Sequence, residues 1–353
     1  MTTGRNGPNG GGAPPVSGFI NLYKPIGITS MDALRQVKTV TGQKKKVGHA
    51  GTMDPLARGV LPICFGQATR LMEYVVDGNK RYCMDIRLGA TTQTYDSEGE
   101  ITQVRKPDYV TPEMINEAFP PFLGTIEQKP PMYSAVKVGG QRLYKLARAG
   151  VEIDRASRTV EVFDIRLTGF NLPTITLEVE CGRGVYMRSL AHDLGAVLGC
   201  GGFVTDLERQ YCAGFESSDG VTPQDLAAEV DRCPDSEAWK LHLFPIDYVL
   251  QKFRTVILGE AAEKGLKNGQ AVSAGRSAPE AAYLEQFRAY SQDGRFLALV
   301  RYERAGNLWQ PVKVFHSVES SPYATPQPSP VDRAPYGHKS VGNSAATPNC
   351  LDN

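Results

Sequence analysis

Thr174-Ile-Thr-Leu-Glu-Val-Glu180 runs directly into Cys181-Gly-Arg-Gly184 and then into Val185-Tyr-Met-Arg188-Ser-Leu190. The first seven residues alternate and are rich in β-branched side chains, the pattern of a half-buried strand. Two glycines break that period. Beyond them Leu190, Leu194, Val197 and Leu198 recur at near-helical spacing and predict a helix with those four on one face, stopped by Gly199. Further strands are predicted over 81–88 and 159–167, and they are not each followed by a helix. Strands that do not strictly alternate with helices favour an α+β fold, with a mixed, largely antiparallel sheet, over a doubly wound parallel one.

Towards the N-terminus, Phe19-Ile-Asn-Leu-Tyr-Lys24-Pro25 reads as a short strand halted by proline. Thr29-Ser30 can cap a helix whose apolar positions are Met31, Leu34, Val37 and Val40, ended by Gly42. Towards the C-terminus the character changes near residue 250. Short β-like runs at 253–258, 287–291, 295–302 and 308–315 are separated by turns such as Asn268-Gly269 and Asp293-Gly294. They predict a small barrel-like module over 251–316 after a larger domain over 19–250. Residues 1–18, with six Gly and three Pro, and residues 317–353, with six Pro and six Ser, cannot bury a core. They are expected to be a disordered leader and tail.

A chain of 353 residues suits about two domains. With 41% hydrophobic and 22% charged residues, it is neither wholly disordered, nor a coiled coil, nor collagen-like. No run approaches the 18 or so apolar residues that span a bilayer, and the N-terminus lacks a secretory core. Seven cysteines without a C-x-x-C pair fit reduced thiols, so a soluble protein of the cytoplasm is expected. The formal net charge of +1 conceals opposed blocks: +6 over 21–70, +5 over 129–158 and −7 over 206–247. Clustered cations with Tyr133, Tyr144 and His49 among them point to a polyanionic partner. Taken singly, each block could equally be a solvated face.

The stretch best suited to chemistry is Lys44-Lys-Lys-Val-Gly48-His49-Ala-Gly51-Thr-Met-Asp54-Pro55-Leu-Ala. Two glycines, a histidine and an aspartate in seven residues make a polar loop that a ligand can approach closely. Asp54 before Pro55 also has the form of a helix N-cap, with Leu56-Ala57 continuing the turn. An N-cap carboxylate still sits at a loop tip, so both readings stay open. His49 alone could be an ordinary loop histidine. The five histidines and seven cysteines offer no pair at zinc-like spacing. There is no nucleophile elbow and no nucleotide-binding glycine motif.

Six segments, in order, resemble the bacterial tRNA pseudouridine-55 synthases of the TruB type. They are Gly18-Phe-Ile-Asn-Leu-Tyr-Lys24-Pro25-Ile-Gly-Ile-Thr-Ser30; Gly48-His49-Ala-Gly-Thr-Met-Asp54-Pro55; and Lys80-Arg-Tyr82 with Thr94-Tyr-Asp96. Gln128-Lys-Pro-Pro-Met-Tyr133-Ser-Ala-Val-Lys137, Gly140-Gln-Arg-Leu-Tyr144-Lys-Leu-Ala-Arg148-Ala-Gly150 and Gly184-Val-Tyr186-Met-Arg188-Ser-Leu complete the set. They span about 18 to 210, and the region after 250 is similar to the family's small C-terminal PUA-like RNA-binding domain.

The resemblance implies isomerisation of a T-loop uridine, with no redox cofactor, ATP or metal, on a tRNA T-arm bound by a monomer. It makes Asp54 the catalytic aspartate, whose carboxylate must be ionised, and Arg188 its charged partner. Tyr82 corresponds to the aromatic that stacks on the extruded uracil, with a part in later proton transfer. Tyr186 and Leu207 correspond to pocket-lining positions, and His49 to the ring that fills the gap in the RNA. The basic segment 129–158, with Lys137, Arg142, Lys145 and Arg148, corresponds to a loop that clasps the T-arm. One departure stands out: Leu207-Glu208-Arg209 replaces the usual Leu-Arg-Arg, which puts one RNA contact in question. A catalytically silent RNA-binding protein on the same scaffold is an alternative, disfavoured by the presence together of Asp54, Arg188 and Tyr82. A guide-RNA-dependent relative is another, disfavoured by the short module after 250.

Overall fold

The computed structural model describes residues 16–133, 153–232, 237–275, 281–316 and 319–324, with two short backbone strands at 137–138 and 141–142. The chain divides into two compact units, one ending at Gln251 and the other beginning at Lys252. Each is built on its own sheet.

In the first unit the strands are β1 (Gly18–Lys24), β2 (Val47–His49), β3 (Ala57–Phe65), β4 (Lys80–Leu88), a β5–β6 hairpin (Ala90–Thr92 and Ile101–Val104) and β7 (Gly124–Gln128). Lys137–Val138 and Gln141–Arg142 form a separate ribbon, β8–β9. Then come β10 (Arg158–Asn171), β11 (Thr174–Cys181), β12 (Gly202–Cys212), β13 (Phe215–Glu216) and β14 (Leu243–Phe244). The main sheet has the order β14-β1-β3-β12-β4-β11-β10-β7, with β2 on β3 and β13 on β12. Its pairings are antiparallel except β12 with β3, so the sheet is mixed and the fold α+β, as the element order predicts.

Helix α1 (Ser30–Thr41) starts where the sequence places it. Thr29 caps it in a full capping box with Asp32, and Gly42 closes it in the left-handed region at φ 68°. Such a cap contributes about 1 kcal/mol. The buried face differs by one position from that read in the sequence. Ala33, Leu34 and Val37 are enclosed, whereas Met31 is exposed. Helix α2 (Met187–Val197) buries Leu190 and Leu194, but Val197 stands out in solvent. The reason is Gly195, where a Cβ would lie 2.2 Å from the Gly202 nitrogen. The helix approaches the sheet most closely there, and Val197, two residues on, lies more than half a turn away.

The second unit contains β15 (Arg254–Leu258), α3 (Glu260–Lys267), β16 (Val272–Ser273), β17 (Gln286–Ser291), β18 (Phe296–Glu303) and β19 (Leu308–Val314). Their order is β15-β17-β18-β19-β16, parallel only between β15 and β17, around Trp309, Leu266, Ala289 and Val300. The four long strands match the sequence reading; α3 does not appear in it. Glu260 and Glu263 in its first turn and Lys264 and Lys267 in its last suit the helix dipole, while only Leu266 is fully buried, so its apolar period is faint. Part of the expected tail is also structured: Ser320 bridges Arg295, and the Ser321 amide donates to the Gly294 carbonyl at 2.9 Å. Among the described residues no helix is long and apolar enough to cross a membrane.

Candidate active site

The loop from Ala50 to Leu56 links β2 to β3, and its backbone is pinned at several points. Buried Ser30, the first residue of α1, accepts from the Met53 amide at 2.8 Å and donates to the Met53 carbonyl at 3.2 Å. The Ala50 amide donates to Pro62 and the Gly27 amide to Pro55. Asp54 follows directly. The N-cap reading fails here: Pro55 and Leu56 form a turn closed by the Ala57 amide donating to the Asp54 carbonyl at 3.1 Å, and the chain continues as β3. The carboxyl is thus left free of capping duty.

Arg188, in the first turn of α2, is 4% exposed and sits between two carboxylates. Its Nη2 lies 2.8 Å from Asp54 Oδ2 and its Nη1 lies 3.1 Å from Asp96 Oδ2. The same nitrogens donate to the carbonyls of Tyr133 at 2.8 Å and Thr94 at 3.1 Å. Asp96 is itself buried, and its Oδ1 accepts from Thr94 Oγ1 and the Glu98 amide. Asp54 differs, with 37% of its side chain open. Burial of the rest pushes its carboxyl above the ordinary range; Arg188 opposes that and Asp96 adds to it.

Tyr82 and Arg209 are directly opposite each other on β4 and β12. The Arg209 guanidinium is buried, donates to the Val60 carbonyl at 2.6 Å and to Gly51 at 3.3 Å, and reaches the Tyr82 hydroxyl. Burial pushes the Tyr82 phenol up to about 12 despite that cation. Burial, reinforced by Arg209, lowers the pKa of His49 on β2. Any side chain at Gly59 would meet the Arg209 backbone at 2.3 Å, at a φ of 106° that disfavours one. Glycine there lets β3 and β12 pair in parallel at Arg209. Leu207, two residues earlier on β12, is 5% exposed and shares a core cluster with Met53, Leu56 and, at its edge, Tyr82. Tyr186 caps α2, and its amide and carbonyl are both held by Gln128, at 2.7 and 3.0 Å.

The structure therefore brings Asp54 and Arg188 into direct contact and gathers His49 and Tyr82 around Arg209. Sequence reasoning assigned no role to Asp96, Lys24 or Arg209. Lys24 is fully buried; its Nζ donates to Pro25 and Ile28 carbonyls at 2.9 and 2.8 Å. Burial pulls it down to about 8, with Asp54 opposing. The only local signal for Asp96 is its polar turn Thr94-Tyr-Asp96, and nothing in that triplet says the carboxylate is buried.

The charge blocks partly consume each other. Arg58 pairs with Asp206 and, at 3.6 Å, with Glu208; Arg81 pairs with Glu216 at 2.9 Å. Glu208 also accepts from the Tyr23 hydroxyl at 3.1 Å. Its departure from Leu-Arg-Arg is absorbed inside the protein, and Arg209 is enclosed. Lys137 and Arg142 are register partners in the β8–β9 ribbon, while Lys145 and Arg148 lie outside the described residues. Among the described residues no group of three or more His, Cys, Asp or Glu could hold a metal ion.

The family model for the N-terminal domain of TruB family pseudouridylate synthases matches residues 38–187, and that for the tRNA pseudouridylate synthase B C-terminal domain matches 188–251. A protein of Clostridium acetobutylicum named tRNA pseudouridine synthase B is 39% identical over 291 residues, covering 82% of this chain and 97% of its own. One of the same name from Dehalococcoides mccartyi is 40% identical over 301 residues, covering 85% and 97%. Among solved structures, a chain of a Cbf5-Nop10-Gar1 complex superposes with a TM-score of 0.63 at 22% identity, over 88% of this chain and 87% of that one. A chain of an H/ACA RNP bound to a substrate RNA containing 2′-deoxyuridine gives 0.65 at 20% identity, over 87% and 88%. These two show the pseudouridine-synthase fold. Together the family models cover residues 38–251 of the first unit and stop where the second begins. With relatives this similar across most of its length, the chain belongs to the TruB family of pseudouridylate synthases.

Proposed function

We propose that this protein converts uridine 55 in the T-loop of tRNA to pseudouridine, as a cytoplasmic monomer that needs no cofactor. The observation that carries the reading is the Asp54 carboxylate held by Arg188 at 2.8 Å on a pinned, partly open loop. The relatives, tRNA pseudouridine synthases B, point to tRNA as the substrate.

The reaction breaks the N1–C1′ bond, turns the uracil and joins C5 to C1′; C5 loses a proton and N1 gains one, so no electrons are exchanged. The target base must first leave the RNA stack. His49, with a lowered pKa, is suited to fill the gap as a neutral ring. Tyr82 offers a stacking face, and Leu207 and Tyr186 line the pocket beside it. With its phenol near 12, Tyr82 stays protonated at neutral pH, so any proton it exchanges is handled with Arg209 alongside. Asp54, ionised by virtue of Arg188, then attacks or stabilises the electron-poor nucleoside. Asp96 fixes the guanidinium from its other edge. The second unit, read as the PUA-like module, adds RNA-binding surface.

The test is a bare T-arm stem-loop transcript labelled at C5, with no added protein or guide RNA. Release of the C5 hydrogen is expected; silence overturns the reading and favours a guided or inactive relative. The clasp is tested separately. Neutralising Lys137, Arg142 and Lys145 together should weaken RNA binding and flatten the plot of log affinity against log salt. Each lost phosphate contact removes about 0.7–0.9 from the slope. An unchanged slope removes that segment from the interface.

A further inference from the structure

Helix α2 carries Arg188 in its first turn, yet its own start is weakly specified. Tyr186 is the N-cap residue and supplies no side-chain cap, and the first turn holds no acidic residue. The chain reaches Tyr186 through Cys181-Gly-Arg-Gly184, where two glycines, the second at φ 87°, leave the backbone little stiffness of its own. What fixes the helix start comes from another strand.

Gln128, the last residue of β7, is 4% exposed. Its Oε1 accepts from the Tyr186 amide at 2.7 Å, and its Nε2 donates to the Tyr186 carbonyl at 3.0 Å. That carbonyl also accepts the first helical bond, from the Leu190 amide at 3.1 Å. The side-chain amide thus holds Tyr186 with one donor and one acceptor, as a peptide group would. An apolar side chain offers neither, and an ionised glutamate only accepts. β7 is itself fixed, with Gln128 in register with Arg158 on β10. The contact between β7 and α2 continues beyond the clamp. Ser189 Oγ donates to the Lys129 carbonyl at 2.8 Å, and Arg188 Nη2 donates to the Tyr133 carbonyl at 2.8 Å.

We infer that Gln128 is a positioning residue for the isomerisation: its amide sets where α2 begins and so holds Arg188 at the spacing that Asp54 and Asp96 require. The inference rests on the RNA-isomerase reading. Arg188 spans two carboxylates at 2.8 and 3.1 Å, so any shift of the helix start lengthens one contact or both. Gln128 acts through the backbone of Tyr186, so its loss falls on the chemical step and leaves RNA binding in place.

The experiment uses the full chain and the T-arm stem-loop. Binding and the single-turnover rate at saturating RNA are measured for wild type, Gln128→Met and Gln128→Glu. Gln128→Met keeps the length of the side chain and removes both hydrogen bonds. It should bind RNA within about threefold of wild type and lose about a hundredfold in rate, the scale of an ångström-level misplacement. Gln128→Glu keeps the shape and carries its own rescue. Protonated, its carboxyl donates to the Tyr186 carbonyl and accepts from the amide, as glutamine does; ionised, it only accepts. Burial raises the pKa of such a carboxyl above the ordinary value of about 4.3. The charged groups around it, Arg158, Lys129 with Asp154, and Arg188, stay charged throughout and leave the direction unchanged. The ratio of Gln128→Glu to wild-type rate should therefore be highest near pH 5 and fall towards about pH 9, the range in which a buried glutamate loses its proton. The inference is overturned if Gln128→Met keeps the wild-type rate, if both variants lose as much in binding as in rate, or if that ratio is flat with pH. Should Gln128→Met not fold, the Gln128→Glu profile alone decides. Absence of C5-hydrogen release by wild type would instead defeat the reading beneath, a separate result.

Discussion

Asp54→Asn binds the T-arm stem-loop within about threefold of wild type and loses turnover by at least about four orders of magnitude, the scale seen when a reacting group is removed. The amide keeps the volume of the carboxyl and can still accept from Arg188 Nη2, so the loop held by Ser30 has no cause to move. What goes is the negative charge. The measurement pairs filter binding with C5-hydrogen release under single-turnover conditions. Appreciable release by the variant would remove Asp54 from the chemistry, whatever its binding.

Replacing Arg188 has a different signature because two carboxylates depend on it. Arg188→Gln leaves Asp96 buried without its cation and Asp54 beside it, and removing one partner of a buried pair costs about 3–5 kcal/mol. If that loss fell on the transition state alone, the rate would drop by roughly 10²–10⁴-fold at 1.36 kcal/mol per tenfold. The pH profile supplies the second readout. Asp54 acts ionised, so activity is present above its pKa and lost as pH falls through it. That pKa is already raised by burial, and Arg188 is the largest influence holding it down. Arg188→Gln should therefore move the acid limb of kcat/KM upward, and Arg188→Lys, a point charge unable to span both carboxylates, should move it less. An acid limb that stays in place would show that the guanidinium does not set the Asp54 charge.

The local features of this site were legible in the residues. The Thr29 cap, the glycine-flanked loop ahead of Asp54 and the alternating run at 174–180 each obey short-range rules of backbone and period. The family motifs pointed to Asp54, Arg188, Tyr82 and His49; the structure pairs Asp54 with Arg188 and sets His49 and Tyr82 beside Arg209. Less legible was everything governed by which strand lies beside which. Lys24 reads as one more cation in a basic block, yet it is fully buried with its ammonium on backbone carbonyls. Arg209 carries no signal of its own in the sequence and turns out to be enclosed opposite Tyr82. Met31 and Val197 fit helical periods and still face water, because the face a helix buries is fixed by the surface it meets.

Alternation, capping and turn chemistry act over a handful of neighbours, so the sequence by itself determined β1, β4, β10, β11 and the four long strands of the second unit, α1, the loop carrying Asp54 and the α+β class, but not the central strands β3 and β12. The joining of Asp54, Arg188 and Asp96 spans residues 54, 96 and 188 and depends on the parallel pairing of β12 with β3, with α2 packed over the sheet. Only the folded chain decides that, because burial and Coulomb attraction act between groups brought close in space, and separation along the sequence does not fix separation in space.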